Sequence, residues 1–266
     1  MSWSRPGRSR GKIMTLKVIR FELRACADRE KAKFLQRFFK CGPGGYAEGD
    51  RFIGVTVPNI RKLVRKYREF PLIGIVRLLQ SPIHEERLLA LLILTDRMKK
   101  AQTRDRKNIF EIYLKYLKHV NNWDLVDLSA GPIVGMYLFE RPGGIQESGQ
   151  RLLDRLASSR RMWDRRVAIM STFHFIRNGN YSATLRLAQA LLDDEEDLIH
   201  KAVGWMLREV GNRELETEEA FLRRYFRRMP RTMLRYAIER FPEKNRKSYL
   251  RGTVSDKMEK SGGGTR

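Results

Sequence analysis

The sequence predicts an all-α protein, a HEAT-like helical-repeat solenoid (an α-α superhelix) with a concave basic face, and three observations carry that reading. Apolar residues recur with helical period in nearly every segment, and almost no segment alternates as a strand would. Proline and glycine fall between those segments: GPGG at 42–45 and RPGG at 141–144 are breakers, and Pro58, Pro82, Pro230 and Pro242 sit near expected helix starts. Small residues inside apolar helices recur at Ala90, Ala130, Ala168, Ala202 and Ala237, spaced by 40, 38, 34 and 35 residues. Helix–turn–helix units of that length match HEAT-type repeats. Each unit has apolar surface on two sides and buries it by stacking on its neighbours.

Taken in order, helices are expected near 14–25 and 28–40, ahead of GPGG, then near 57–68, 71–80 and 83–100. The last of these holds the longest uninterrupted apolar run, Leu88 to Leu94. Next come 104–118 and 122–139, the latter broken at Pro132, then 147–157, 161–176, 181–192, 196–210, 218–227, 230–241 and 243–250. Residues 1–13 read as a disordered basic arm, residues 14–251 as one domain and residues 252–266 as a disordered tail. Met14 is an alternative start that would make the arm an upstream extension.

Composition narrows the partners. Lys+Arg number 54 against 31 Asp+Glu, a formal net charge of +23, while 42% hydrophobic content excludes a wholly disordered chain. The run at Leu88–Leu94 is far short of the roughly 20 residues a bilayer span needs. The opening MSWSRPGRSRGKI leads into no apolar stretch and no cleavage pattern, so no secretory signal is expected. Two cysteines, Cys26 and Cys41, form neither a CxxC nor a disulfide framework, which fits a reducing, cytoplasmic setting. A pI near 10.4 makes a polyanion the favoured partner, and nucleic acid is the commonest one.

Acidic residues cluster at 193–197, where they favour the positive end of the following helix. Arginines concentrate at Arg151, Arg155, Arg160, Arg161, Arg165 and Arg166, and again from Arg223 to Arg235. Any one of them is accounted for as solvated surface, but together they suit a polyanion groove. In EDLIHKAVGWMLREV, Trp205 lies roughly 115° from the centre of the apolar stripe, with Lys201 and Arg208 on the same flank. That placement fits either a nucleic-acid contact or packing between repeats. In NNWDLVDLSAGPIVG, Asn121 or Asn122 caps a helix on which Trp123 and Asp127 share a face at i and i+4, while Asp124 favours the helix dipole. An aromatic plane beside a carboxylate suits a cationic ligand; a core Trp and an ion-paired Asp is the structural alternative. In MWDRRVAIMSTFHFI, Arg166 lies in the quadrant of Met170 and Phe173 and needs a partner, either Asp127 or a bound phosphate.

Much chemistry is missing. His84, His119, His174 and His200 lack metal-ligand spacing, and GPGGYAEGD lacks the ending of a phosphate-binding loop. No metal and no cofactor is expected. A cofactor-free reaction, or none, remains.

With NNWDLVDLSAGPIVG, MWDRRVAIM and IHKAVGWMLREVG in order, the sequence resembles the AlkD-like family of DNA alkylation repair glycosylases over about residues 20–250. FIGVTVPNIRKL is similar to that family's early helix pair. The resemblance implies a HEAT-like solenoid that removes cationic N3-methyladenine and N7-methylguanine from duplex DNA while leaving the lesion stacked. It implies catalytic or lesion-contacting roles for Trp123, Asp127, Arg166 and Trp205, and backbone contacts for Arg61 and Arg208, to which the helical flank adds Lys201. Asn122 departs from relatives that carry a Trp there. A cytoplasmic, nucleoid-associated monomer without AP-lyase chemistry is expected. Two rival readings use the same fold: a non-catalytic module for damaged or branched DNA, and a protein-binding scaffold.

Overall fold

The computed structural model describes residues 15–140 and 143–254, so the basic arm, nearly all of the tail and the Arg-Pro half of RPGG lie outside the described residues. Among the described residues the fold is all-α. The one strand-like feature there is an isolated parallel bridge between Arg51 and Ile83. The chain divides into two compact units, Met1–Arg97 and Met98–Arg266.

In the first unit, α1 (Leu16–Arg24), α2 (Arg29–Phe38), α3 (Val57–Lys66) and α4 (Leu72–Leu79) precede α5 (His84–Lys100), whose end crosses the boundary. Thr15 caps α1 through the Val18 N–H, and Asp28 caps α2 through the Glu30 and Lys31 N–H groups. The first turn of α5 is unusual: His84, Glu85, Glu86 and Arg87 are four consecutive ionisable residues, all buried. Burial of charge costs several kcal/mol unless it is paired (about 3–5 for a broken pair), and each of these groups is paired. Glu85 accepts the N–H groups of Ile53, Gly54 and Val55 at 2.7–3.2 Å, Glu86 accepts Arg20 at 2.8 Å, and Arg87 and His84 both meet Asp50. Glu85 thereby anchors the backbone that leads into α3.

The second unit comprises α6 (Thr103–Lys115), α7 (Trp123–Ala130), a π turn (Gly131–Gly135), α8 (Met136–Phe139), α9 (Glu147–Ala157), α10 (Met162–Arg177), α11 (Ser182–Ala190), α12 (Asp197–Gly211), α13 (Leu215–Tyr225), α14 (Arg231–Ala237) and α15 (Glu243–Arg251). The helix from α7 through α8 packs on α10, α10 on α12 and α12 on α14. α6 backs the π turn, α9 backs α10, and α11 and α13 back α12, so paired helices stack in two layers. Ala90, Ala130, Ala168, Ala202 and Ala237 are all fully buried.

Two helix crossings in this unit are close enough to require glycine. A methyl group on Gly135 would sit 2.2 Å from the Ser171 carbonyl oxygen of α10, and one on Gly204 would sit 2.4 Å from the Met233 carbonyl oxygen of α14. Pro132 does not break its helix, contrary to the sequence reading. The backbone widens into the π turn there, and the Met136 N–H reaches back five residues to the Gly131 carbonyl. A proline has no N–H to give the ladder, and the wider turn carries the chain past that gap. The acidic cluster is also more than a dipole partner. Asp194 pairs with Arg165 and bonds the Glu196 N–H, Asp193 pairs with Arg228, and Asp197 pairs with Lys201.

Candidate active site

The site grows from one ionic fork. Asn122 caps α7 by accepting the Trp123 N–H at 2.8 Å, which sets Trp123 at the first position and Asp127 one turn later. Arg166, on the first turns of α10, is buried, and its Nε and Nη2 donate to Asp127 Oδ1 and Oδ2 at 2.9 and 2.8 Å. Of the two partners its position required, the carboxylate is the one it takes. Its third donor, Nη1, bonds the Leu198 carbonyl in the first turn of α12. One guanidinium therefore ties three stacked helices through bidentate, charge-assisted bonds. Arg165 beside it makes a matching fork to Asp194, at 2.6 and 3.1 Å.

The Asp127 side chain retains 13% exposure against 5% for Arg166, so it is the less buried member of a buried pair. Burial pushes its carboxyl up from the ordinary value, and the guanidinium opposes that push. A carboxylate offers about four lone-pair sites and the fork uses two, so Asp127 keeps acceptor capacity beyond the fork.

Aromatic side chains lie on the helices that carry this pair and on the next helix in the stack. Trp123 is partly exposed on the α7 face that carries Asp127. Trp205, on α12, is also partly exposed; its ring lies 6.2 Å from Phe173 of α10, and its Nε1 donates to Glu209 Oε1 at 3.2 Å. The indole is thus off the core, as its helical phase required, and it also packs between repeats. Trp163, by contrast, is core.

The cations expected to hold the DNA backbone are less alike. Lys201 pairs with Asp197 at 2.8 Å, and Arg208 pairs with Glu239 after α14. Arg61 lies on α3 in the other unit, exposed and with no ion pair among the described residues. Sequence reasoning passed over Phe173 and Glu209, which hold the indole, and the buried run His84–Arg87. Glu209 had a signal, since it stands four residues after Trp205 on one helix face. Among the described residues no group of three His, Cys, Asp or Glu side chains could hold a metal ion. No helix there is long and apolar enough to cross a membrane.

A stack of paired helices, with a carboxylate held by a buried arginine and partly exposed tryptophans on the same helices and the next, defines a helical-repeat protein. Residues 19–241 match the family model described as DNA alkylation repair enzyme, and the chain belongs to that family, which gives it a role in DNA repair. Among solved structures it is similar to a predicted DNA alkylation repair enzyme from Enterococcus faecalis, with a TM-score of 0.61 and 15% identity over 82% of this chain and 97% of that one. No curated protein matches the chain.

Proposed function

We propose that the protein is a monofunctional DNA glycosylase that hydrolyses the N-glycosidic bond of cationic alkylated purines, N3-methyladenine and N7-methylguanine, in duplex DNA without lifting the base from the stack. The observation that carries this reading is the Asp127 carboxylate, locked in orientation by Arg166, on the helix face of the partly exposed Trp123. Alkylation at N3 or N7 puts positive charge on the base and makes it a good leaving group, so no general acid is required. As the bond breaks, positive charge grows on the sugar in an oxocarbenium-like transition state. Asp127 stabilises that charge and orders the attacking water, and its fork to Arg166 spares it any reorganisation as the charge appears. Trp123 and Trp205 face the cationic nucleotide by cation–π contact. Arg61, Lys201 and Arg208 take phosphates, the last two by exchanging a carboxylate for the DNA.

Release of methylated base from duplex DNA, measured for wild type and Asp127→Asn, tests the proposal. Robust release by wild type and its loss in the variant are expected, and no release by wild type would sink the enzyme reading. One observation favours a second reading, a non-catalytic module for damaged or branched DNA: with Arg166 also bonded to the Leu198 carbonyl, the pair resembles a structural strut. Salt-dependent duplex binding without base release is its outcome.

A further inference from the structure

Phe173 stands on α10 seven residues after Arg166, two turns along the same helix face. It touches the site from three sides. Its ring centroid is 6.2 Å from that of Trp205, with the planes tilted by 44°. Its β-carbon lies 3.7 Å from where a methyl on Gly131 would stand, so the π turn fills the space behind it. One turn further along α10, the Arg177 guanidinium sits 5.9 Å from the centroid of the same ring.

Two features turn this stack into part of a binding edge. The indole is held by the Phe173 ring and by Glu209, whose other oxygen takes Arg213 at 3.0 Å, so a change at Phe173 reaches Trp205 directly. Arg177 is exposed, and among the described residues its guanidinium has no carboxylate within ion-pair distance. Arg166, Lys201 and Arg208 are all ion-paired. A guanidinium seated on an aromatic ring, with its N–H donors unspent, is suited to a phosphate.

We propose that Phe173 is a positioning residue that sets the plane of Trp205 and seats Arg177, and that Arg177 grips a phosphate of duplex DNA beside the lesion. The word lesion rests on the glycosylase reading, whereas the phosphate contact requires duplex binding alone. The stack lies along α10 and α12, and the fork at Arg166 and the contact at Arg177 are about three turns apart on the same face of α10.

Salt titrations of binding to undamaged and methylated duplexes test it, using the full chain and variants whose unfolding transitions match wild type. Arg177→Gln should weaken both duplexes alike and flatten the salt dependence by about one unit. Phe173→Leu should do the same, by unseating Arg177, and should also cut the preference for the methylated duplex by about two- to tenfold, the range for an aromatic pair. Its effect should not add to that of Trp205→Ala, because the two residues act as one unit. Phe173→Tyr keeps the ring and should restore both properties. An unchanged salt slope in Arg177→Gln removes the phosphate contact. Full additivity with Trp205→Ala, or a Tyr variant as impaired as Leu, removes the positioning role. Wild type that binds duplexes but releases no base refutes the glycosylase reading while these arms are still scored by binding; wild type that binds no duplex overturns both.

Discussion

Replacing Asp127 by Asn separates what the fork does for the fold from what it does for the reaction. Asn keeps the shape and one acceptor, but its amide nitrogen turns a donor toward a guanidinium donor, so one of the two bonds at 2.8–2.9 Å is lost. Arg166, with 5% of its side chain exposed, then holds a buried charge without a counter-ion. Breaking a buried pair from one side costs about 3–5 kcal/mol, and the surviving bond and partial exposure bring the expected loss to about 2–3 kcal/mol. A domain stable by about 5–15 kcal/mol stays folded through that change. Urea unfolding reads the loss as a shifted midpoint with unchanged slope. The chemical loss is separate: a carboxylate that meets developing charge in a desolvated site should be worth about 10²–10³ in single-turnover base release. Asp127→Asn combined with Arg166→Met removes the orphaned charge, so stability should return toward wild type while release stays low. If release recovers together with stability, Asp127 is a strut and its catalytic role falls.

Other outcomes follow from particular contacts. Glu218 is buried and its carboxyl is pushed up to about 8, first by burial and then by Glu219, against the pull of Arg208. The native state therefore keeps a proton that the unfolded chain releases above its ordinary value of 4.5, so this residue's stabilisation is full below pH 4.5 and is lost by pH 8. Glu218→Gln should exceed wild type by about 3 kcal/mol at pH 7 and match it near pH 4; parallel stability curves across that range would refute this. Gly204→Ala drives a methyl to 2.4 Å from a carbonyl of α14 and should cost about 3 kcal/mol; a neutral urea midpoint would contradict the close crossing. Arg61→Ala should flatten the salt dependence of duplex binding by about one unit, and Lys201→Ala and Arg208→Ala by less, because each of the latter gives up a carboxylate on binding.

What the sequence disclosed depends on how local each feature is. The helices and their stacking were legible from period and punctuation, and the small alanines fell in the core as their spacing implied. Trp123 and Asp127 were legible as a pair because one helix carries both, and Arg166 because an arginine on an apolar flank requires a partner. The choice between a carboxylate and a phosphate was not, since it depends on how α7 and α10 meet. Phe173 was legible only as part of the apolar flank beside Arg166, for the same reason: its importance comes from a ring on another helix. The run His84–Arg87 gave no warning of burial, because all its partners but the Ser81 carbonyl are residues 20, 24, 50, 53, 54 and 55, far off in sequence. Pro132 misled because the usual rule concerns a regular helix, and the helix here is not regular.

That irregularity bears on how the chain can change over time. A π turn holds one residue more than an α-helix needs for the same span, so Gly131–Gly135 stores a spare residue in the middle of a packed element. Deleting one residue there would restore ordinary winding and leave both Trp123 and Asp127 and the Met136–Phe139 segment in their places. Insertions and deletions are normally confined to loops, but here a helix offers them a site. The chain can therefore lose or regain that residue without displacing the carboxylate on one side or the packed segment on the other.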